Sequence, residues 1–221
     1  MKRIPTLELL DHDEGTPAEV AASLSDLRSF NQWFGGIDTT QRMIEQVARA
    51  TDRSSFTLLD VASGAGYVPQ TVRDRLRGRG VSLEIALLDR APSHLRDGAP
   101  AVVADAVSIP FQDASFDLVS CSLFTHHLGP DELKQFVGEA LRVCRVAVLI
   151  NDLIRAPLHL ALVYVGRPLY RSRLTRHDAP ASVRQAYTRK EMREMLLQAG
   201  TTRVEINRHY LYRMGAIAWK Y

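Results

Sequence analysis

Short apolar runs alternate with segments of helical periodicity between residues 56 and 150, and this alternation restricts the possible folds more than any other feature of the sequence. Runs of this kind are typical of buried strands. The five runs span residues 56–61, 83–88, 101–104, 116–121 and 145–150. Strands that alternate with helices form a parallel sheet with helices on both faces. The sequence therefore predicts a doubly wound, Rossmann-like α/β fold.

Two helices are predicted before the first strand. Thr16-Pro17-Ala18-Glu19 combines a threonine N-cap, a proline at the first helical position and a glutamate three residues after the cap, which predicts a helix from residue 17. A second helix is predicted over residues 39–50, with a turn over residues 30–36 between the two. Trp33 and Phe34 in this turn are interpreted as core residues, with a cover over a ligand as the alternative. Residues 1–50 are expected to form a helical cap.

Two further strands are predicted after a last helix. Thr188 and Glu191 form a capping box that begins this helix, and Gly200 ends it. The strands are predicted over residues 202–207 and 211–218, and the final strand is expected to run antiparallel. The mostly parallel sheet would then have seven strands, within a single domain that covers residues 1–221.

Residues 152–187 fit neither the helical nor the strand period. A segment of this length without regular structure is uncommon in a compact domain unless it is a lid or a binding element. We therefore expect it to be variable and to face the substrate, with His159 and His177 as surface or lid residues. Its arginines and the apolar stretch 158–165 could cap an amphipathic acceptor with an acidic group or contact a membrane surface, although a solvated face is the simpler interpretation.

The composition is that of a soluble packed domain, with 46% hydrophobic and 24% charged residues. No apolar run approaches the ~18 residues of a membrane span, and no apolar leader follows the first residues, so we expect a cytoplasmic protein. The net charge is only +3 and the basic residues are scattered, which argues against nucleic acid as a partner. Cys121 and Cys144 lie in apolar runs and are expected to be buried, free thiols. The oligomeric state is left open.

The turn after the first strand has the composition of a ligand-binding loop. The segment Asp60-Val61-Ala62-Ser63-Gly64-Ala65-Gly66 places small residues where a backbone can approach a ligand and helix N-terminal amides can point at it. Asp89 ends the second strand, where a carboxylate can accept hydrogen bonds from both hydroxyls of a ribose. Asp105 ends the third strand and can face an adenine amino group. These features predict a nucleoside-containing cofactor at the carboxyl edge of the sheet.

A nicotinamide dinucleotide is one alternative for this cofactor. A dinucleotide fingerprint would place its third glycine at position 69, which is Pro69 in this sequence. An NAD-dependent oxidoreductase is therefore the less favoured alternative.

Taken as an ensemble, these motifs resemble class I S-adenosylmethionine-dependent methyltransferases of the small-molecule type. The family's first motif, an acidic residue followed by x-G-x-G-x-G, matches residues 60–66 with Ala62 in place of the first glycine. Residues 116–128, FDLVSCSLFTHHL, are similar to the FD…HHL stretch of small-molecule members such as those of quinone biosynthesis. The resemblance covers roughly residues 56–150. A looser one, through residues 7–11, 27–31 and 151–155, is to bacterial methyltransferases associated with phenolic or polyketide-type acceptors.

The resemblance implies S-adenosylmethionine as the cofactor. It implies contacts of Asp89 with the ribose, of Asp105 and Ala106 with the adenine, and of Ser122 with the methionine moiety. The full implied set is Asp60, Ala62, Ser63, Gly64, Gly66, Asp89, Arg90, Asp105, Ala106 and Ser122. No metal cofactor is expected.

The expected reaction is in-line transfer of the methyl group to an oxygen, or less readily to a nitrogen or carbon, of a small apolar acceptor. A phenol must also lose a proton, and His126, ahead of His127, is the candidate general base, with a structural histidine as the alternative for each. Two other functions stay open. One is a nucleic-acid methyltransferase, although Ser122-Leu123-Phe124-Thr125 does not resemble the N/D-P-P-Y motif of many base-amino methylating members. The other is a cofactor-binding protein without activity.

Overall fold

A seven-stranded sheet organises the chain in the computed structural model, which describes residues 1–10, 15–92, 95 and 99–221. Its strands are β1 (Ser55–Val61), β2 (Ser82–Asp89), β3 (Ala101–Val103), β4 (Phe116–Ser122), β5 (Cys144–Leu153), β6 (Arg203–Arg208) and β7 (Arg213–Trp219). They lie in the order β3-β2-β1-β4-β5-β7-β6. Strands β1 to β5 pair in parallel, and β7 pairs antiparallel with both β5 and β6. The predicted Rossmann-like fold with an antiparallel last strand is confirmed.

Helices pack against both faces of this sheet. They are α1 (Pro17–Trp33), α2 (Gly36–Thr51), α3 (Tyr67–Arg77), α4 (Pro130–Val143), α5 (Pro157–Gly166), α6 (Arg173–Gln185) and α7 (Arg189–Gln198), with short 3₁₀ turns at Thr125–His127 and Arg167–Leu169. The predicted capping boxes begin α1 and α7, where Thr16 and Thr188 accept hydrogen bonds from the backbone amides three residues later.

Successive residues of β1 point to opposite faces of the sheet, as the strand period requires. Leu59 and Val61 belong to the apolar cluster that contains α4 and α7, whereas Phe56 and Leu58 belong to the cluster that contains α2 and α3. All four side chains are buried, and full burial of each contributes about 1.5–3 kcal/mol. Two apolar layers therefore hold the strands, and polar groups collect at the strand ends.

The chain changes its direction of winding between β1 and β4. Strands β2 and β3 follow β1 on one side of it, and β4 pairs with its other side. In open α/β sheets, ligands bind in the crevice outside the carboxyl ends of the strands at such a switch point. The residues that follow Val61 and Ser122 therefore border the candidate site.

The predicted turn over residues 30–36 is shorter in the structure, because α1 continues to Trp33 and α2 begins at Gly36. Gly35 adopts φ +75 and caps α2. Trp33 and Phe34 are 67% and 43% exposed, so the expectation that they are core residues is wrong. Phe34 packs on Phe30 with the ring centroids 5.9 Å apart, and this contact one helical turn apart supports the last turn of α1, which extends into the predicted turn.

Residues 152–187 contain more regular structure than the sequence predicts. Strand β5 continues to Leu153, and α5 and α6 follow it. Helix α5 is apolar on all sides, and each of its residues is at least partly exposed. Its sequence therefore shows no amphipathic period from which a helix could be predicted. Pro180 lies inside α6 and obscures the helical pattern there. The role of this segment toward a substrate, and the division of the chain into a cap and one domain, stay predictions.

Cys121 and Cys144 are buried and free, as predicted. Burial raises the pKa of both thiols, which keeps them protonated and unreactive. Among the described residues, no helix is both long and apolar enough to cross a membrane.

Candidate active site

The loop between β1 and α3 adopts backbone conformations that favour glycine. Ala62, Gly64 and Gly66 have φ values of +52, +53 and +68. A Cβ atom on Gly64 would meet no heavy atom within 4 Å, whereas one on Gly66 would lie 2.7 Å from Leu87 Cδ1. Gly66 thus allows close packing of the helix on the sheet, and Gly64 leaves an open side of the loop that a ligand can approach.

Asp89, the last residue of β2, holds this loop in place. Its two carboxylate oxygens accept hydrogen bonds from the backbone amides of Gly64, at 2.8 Å, and Ala91, at 2.9 Å. The residue is 8% exposed. Because each carboxylate oxygen can accept more than one hydrogen bond, Asp89 can support the loop and still bind a ribose hydroxyl.

Asp60 lies inside β1, one residue before the strand ends, and is 3% exposed. Its carboxylate accepts a hydrogen bond from Ser120 Oγ of the neighbouring β4. Burial raises the pKa of Asp60 to about 7; the hydrogen bond from Ser120 opposes this shift, and the negative charge of Asp89 adds to it. Asp60 is therefore enclosed between two strands, beneath the loop.

The other predicted cofactor residues lie further along the same edge. Asp105 comes two residues after β3 and is exposed, and its Oδ1 atom accepts a hydrogen bond from the amide of Val107 at 3.1 Å. The adjacent Ala106 is buried. Arg90 directly follows β2 and is exposed. Of these carboxylates, Asp89 lies close enough to Asp60 for its negative charge to raise the pKa of Asp60.

Ser122, the last residue of β4, has a shielded hydroxyl with no hydrogen-bond partner among the residues that the structure describes. A buried polar group without a partner costs about 1–3 kcal/mol. The next residue, Leu123, has φ +54, a strained conformation for a residue with a side chain and one that collects at functional sites. Both features fit a polar ligand atom at the end of β4.

His126 is held by the carboxylate of Asp152, a residue of β5. The ring Nδ1 of His126 lies 2.6 Å from Asp152 Oδ1, and its backbone amide donates to Oδ2 at 3.0 Å. Thr125 Oγ1 donates to the same carboxylate. Burial alone would raise the pKa of Asp152, but the charge of His126 and these hydrogen bonds outweigh it and lower the pKa to about 2. Asp152 therefore stays ionised beside the histidine.

The segment of residues 1–10 covers the other side of His126. Glu8 Oε1 lies 3.6 Å from the ring Nε2, and Arg3 donates to the backbone carbonyl of His126 at 3.0 Å. His126 is 2% exposed, with both ring nitrogens facing carboxylates. His127 is half-buried, and its ring centroid lies 4.1 Å from that of His126. His127 is thus the more accessible member of the pair.

Sequence reasoning missed Glu8 and Arg213. Arg213 begins β7 and is 3% exposed, and its guanidinium donates long hydrogen bonds, at 3.5 Å to Asn151 Oδ1 and 3.4 Å to Asn31 Oδ1. Burial lowers its pKa to about 10, against the opposing charge of Asp152. Both residues reach the site only through contacts distant in sequence, so no local pattern marks them. Asn151 and Asp152 do carry a signal, because they directly follow the fifth apolar run.

A family model described as a methyltransferase domain matches residues 59–149. This range includes the glycine loop, Asp89, Ser122 and both histidines of the pair. Residues 59–149 therefore carry a methyltransferase domain. The open side of Gly64, the carboxylate of Asp89 and the shielded hydroxyl of Ser122 fit S-adenosylmethionine, the cofactor that the sequence resemblance implies.

Solved methyltransferase structures share the fold over almost the whole chain. A SAM dependent methyltransferase from Aquifex aeolicus is 16% identical, with a TM-score of 0.62 over 92% of this chain and 98% of that one. The plantazolicin methyltransferase BpumL, in complex with a triazolic desmethylPZN analog and SAH, is 11% identical, with a TM-score of 0.71 over 96% of this chain and 93% of that one. For the plantazolicin methyltransferase BamL the identity is 13% and the TM-score 0.67, over 90% and 91% of the two chains. At these identities the likeness concerns the fold alone. A comparison with curated proteins gives no sequence match.

Proposed function

We propose that the methyltransferase transfers the methyl group of S-adenosylmethionine to an oxygen of a small, largely apolar acceptor of the phenolic or polyketide type. The observation that carries this proposal is that a glycine loop tied to Asp89 and a histidine pair tied to Asp152 share the carboxyl edge of one sheet. The first feature supports cofactor binding and the second supports proton removal from an acceptor. The two free, buried cysteines suit a reducing compartment, and we place the activity in the cytoplasm.

In this proposal the cofactor is held by residues at the ends of β1 to β4. Asp89 would bind the ribose hydroxyls, Asp105 and Ala106 the adenine, and Ser122 a polar atom of the methionine moiety. The remaining proposed residues, which shape or flank the loop, are Asp60, Ala62, Ser63, Gly64, Gly66 and Arg90. When bound, S-adenosylmethionine supplies an electrophilic methyl group. The protein itself holds the acceptor oxygen in line and excludes water, which can contribute ~7–11 kcal/mol.

We assign the removal of the acceptor proton to His127. A phenol with a pKa of ~10 must lose its proton during transfer, and an imidazole with a pKa of ~6.5 is a suitable base. His127 is half-buried, whereas His126 is enclosed between Glu8 and Asp152. Asp152 fixes His126 and therefore the 3₁₀ turn that carries His127. His126 thus acts as a positioning residue in this scheme.

The cofactor assignment is tested by calorimetric titration with S-adenosylmethionine and, separately, with NAD. We expect S-adenosylmethionine to bind and Asp89→Ala to weaken this binding at least tenfold, since a hydrogen bond to a charged group contributes ~1.5–3 kcal/mol. Asp89→Asn keeps one acceptor oxygen for the loop and separates the loss of charge from the loss of loop support. Asp74→Ala, at an exposed site on α3, is the matched control. Binding of NAD alone, or unchanged affinity in both Asp89 variants, would contradict the assignment.

The acceptor assignment is tested with S-adenosylmethionine labelled in the methyl group and a panel of phenols, carboxylic acids, amines and RNA. We expect label in a phenolic ether. His127→Ala should lower kcat by about 10²–10⁴ without changing cofactor affinity, whereas Asp74→Ala, at an exposed site on α3, should turn over normally. Label in amines or RNA alone would contradict oxygen transfer, and normal turnover by His127→Ala would remove it as the base.

A further inference from the structure

Three side chains that can ligate a metal ion converge beside the 3₁₀ turn. Glu8, His126 and His127 each offer one ligand atom, and these atoms lie within 4.8 Å of one another. The glutamate comes from the N-terminal segment and the histidines from the turn after β4, so tertiary folding alone brings them together. Glu8 and His126 are buried and His127 is half-buried.

The two buried members of this cluster face each other with one ligand atom each. Asp152 is a carboxylate that only accepts hydrogen bonds, so the His126 Nδ1 beside it at 2.6 Å donates to it. The other ring nitrogen, Nε2, lies 3.6 Å from Glu8 Oε1, which is longer than a hydrogen bond.

This separation fits two ligands of one metal ion better than a hydrogen-bonded pair. A shared proton would draw the nitrogen and oxygen to about 2.7–2.9 Å, whereas two ligands of a tetrahedral metal ion with bonds of ~2.1 Å lie ~3.4 Å apart. We propose that Glu8, His126 and His127 bind a divalent transition-metal ion, for which zinc is the best match to two imidazoles and one carboxylate.

Other polar groups orient the proposed ligands, as outer groups do in known metal sites. Asp152 fixes the His126 ring so that Nε2 faces Glu8. Ser182 Oγ donates to Glu8 Oε1 at 2.7 Å, and Gln185 Nε2 donates to it at 2.6 Å. A bound ion would fix residues 1–10 to the edge of the sheet. Three protein ligands would leave one position open for water or for an acceptor oxygen.

A metal ion would occupy ring nitrogens that the proposed function assigns to proton transfer and positioning. In the metal-loaded protein, activation of an acceptor oxygen would therefore pass from the base His127 to the ion. The metal site itself is independent of the methyl acceptor, so its test measures metal binding directly and without turnover.

The experiment uses the full-length, tag-free protein after treatment with a chelator. Co²⁺ is titrated while its visible absorption is recorded, and Zn²⁺ is then added as a competitor. We expect one equivalent of Co²⁺ to bind with the intense spectrum of a tetrahedral site and to be displaced by Zn²⁺. Loss of a group that only orients a ligand lowers metal affinity by up to about 100-fold. Loss of a ligand should cost at least as much, so His127→Ala and Glu8→Gln should each weaken Co²⁺ binding by about 100-fold or more. His177→Ala, an exposed histidine outside the cluster, should bind as the wild type does.

Circular dichroism and calorimetric binding of S-adenosylmethionine show whether each variant is folded. Glu8 is enclosed and its substitution can disturb the fold, so the half-buried His127 provides the second, independent variant. Absence of a one-to-one cobalt complex would overturn the proposal. Equal affinity in wild type and His127→Ala, or equal loss in His177→Ala, would show adventitious surface binding only and would overturn it as well.

Discussion

Replacing Asp60 with asparagine should change how the stability of the fold depends on pH. Burial in β1 beside Ser120 raises the pKa of this carboxyl from 3.8 to about 7, with a further contribution from the charge of Asp89. The unfolded chain releases this proton near pH 4, whereas the folded protein keeps it up to about pH 7. Stability falls as the pH rises through this window, and the loss is complete above it. Asparagine does not titrate, and its amide oxygen can still accept the hydrogen bond from Ser120.

The magnitude follows from the two pKa values. With 3.8 in the unfolded chain and about 7 in the folded protein, the raised pKa of Asp60 lowers the free energy of unfolding by roughly 2 kcal/mol at pH 5 and roughly 4 kcal/mol at pH 8. Asparagine does not have this pH dependence. The free energy of unfolding of Asp60→Asn minus that of the wild type should therefore increase by about 2–3 kcal/mol between pH 5 and pH 8.

Urea unfolding of the two proteins at several pH values between 5 and 8 measures this difference. Titrating groups that do not interact with Asp60 are common to both proteins and cancel in the subtraction, whereas Asp89, whose charge acts on Asp60, contributes to the measured difference. Asp131→Asn, at a fully exposed carboxylate on α4, is the control and should follow the wild-type curve. Parallel pH curves for the wild type and Asp60→Asn would refute the reasoning, because they would show that Asp60 has the same pKa in the folded and unfolded states.

Three further substitutions test the backbone and the polar contacts around the site, each by urea unfolding. Gly66→Ala should cost about 2–3 kcal/mol, because an alanine at φ +68 is strained and its Cβ would lie 2.7 Å from Leu87 Cδ1; a loss below ~0.5 kcal/mol would contradict this. Ala62→Gly should stabilise the fold by about 0.5–1 kcal/mol, since it relieves a left-handed residue at φ +52; destabilisation would contradict it. Asn151→Ala should cost about 1–3 kcal/mol, because the buried side chain donates to the Gly36 carbonyl at 2.7 Å; unchanged stability would show that water replaces this bond.

The parallel part of the fold could be predicted from the sequence because its strands are buried on both faces. Phe56 to Val61 therefore reads as an apolar run, and the side chains of Leu58 and Leu59 pack on opposite layers. The cofactor loop could be located because close packing and positive φ angles restrict it to small residues, as at Gly66. Ala62, which replaces the first glycine of the family motif, is also small, and it adopts a left-handed conformation.

The surroundings of the histidine pair could not be predicted, because they depend on long-range contacts. Glu8 lies beside His126 and accepts hydrogen bonds from Ser182 and Gln185 in α6. These residues are far from Glu8 in the sequence, so no local pattern predicts the contact. Helix α5 was missed because it is apolar without burying a face. Trp33 was placed in the core on its residue type, although a large aromatic residue at the end of a helix can remain exposed.

The most direct test of the central claim is a crystal structure of the protein with S-adenosylhomocysteine. The account predicts the ribose on the carboxylate of Asp89, the adenosyl group along the loop at Gly64, and the sulfur on the side of the crevice that carries Ser122 and His127. A ligand bound elsewhere on the chain, or a complex in which Asp89 makes no contact with it, would contradict the account.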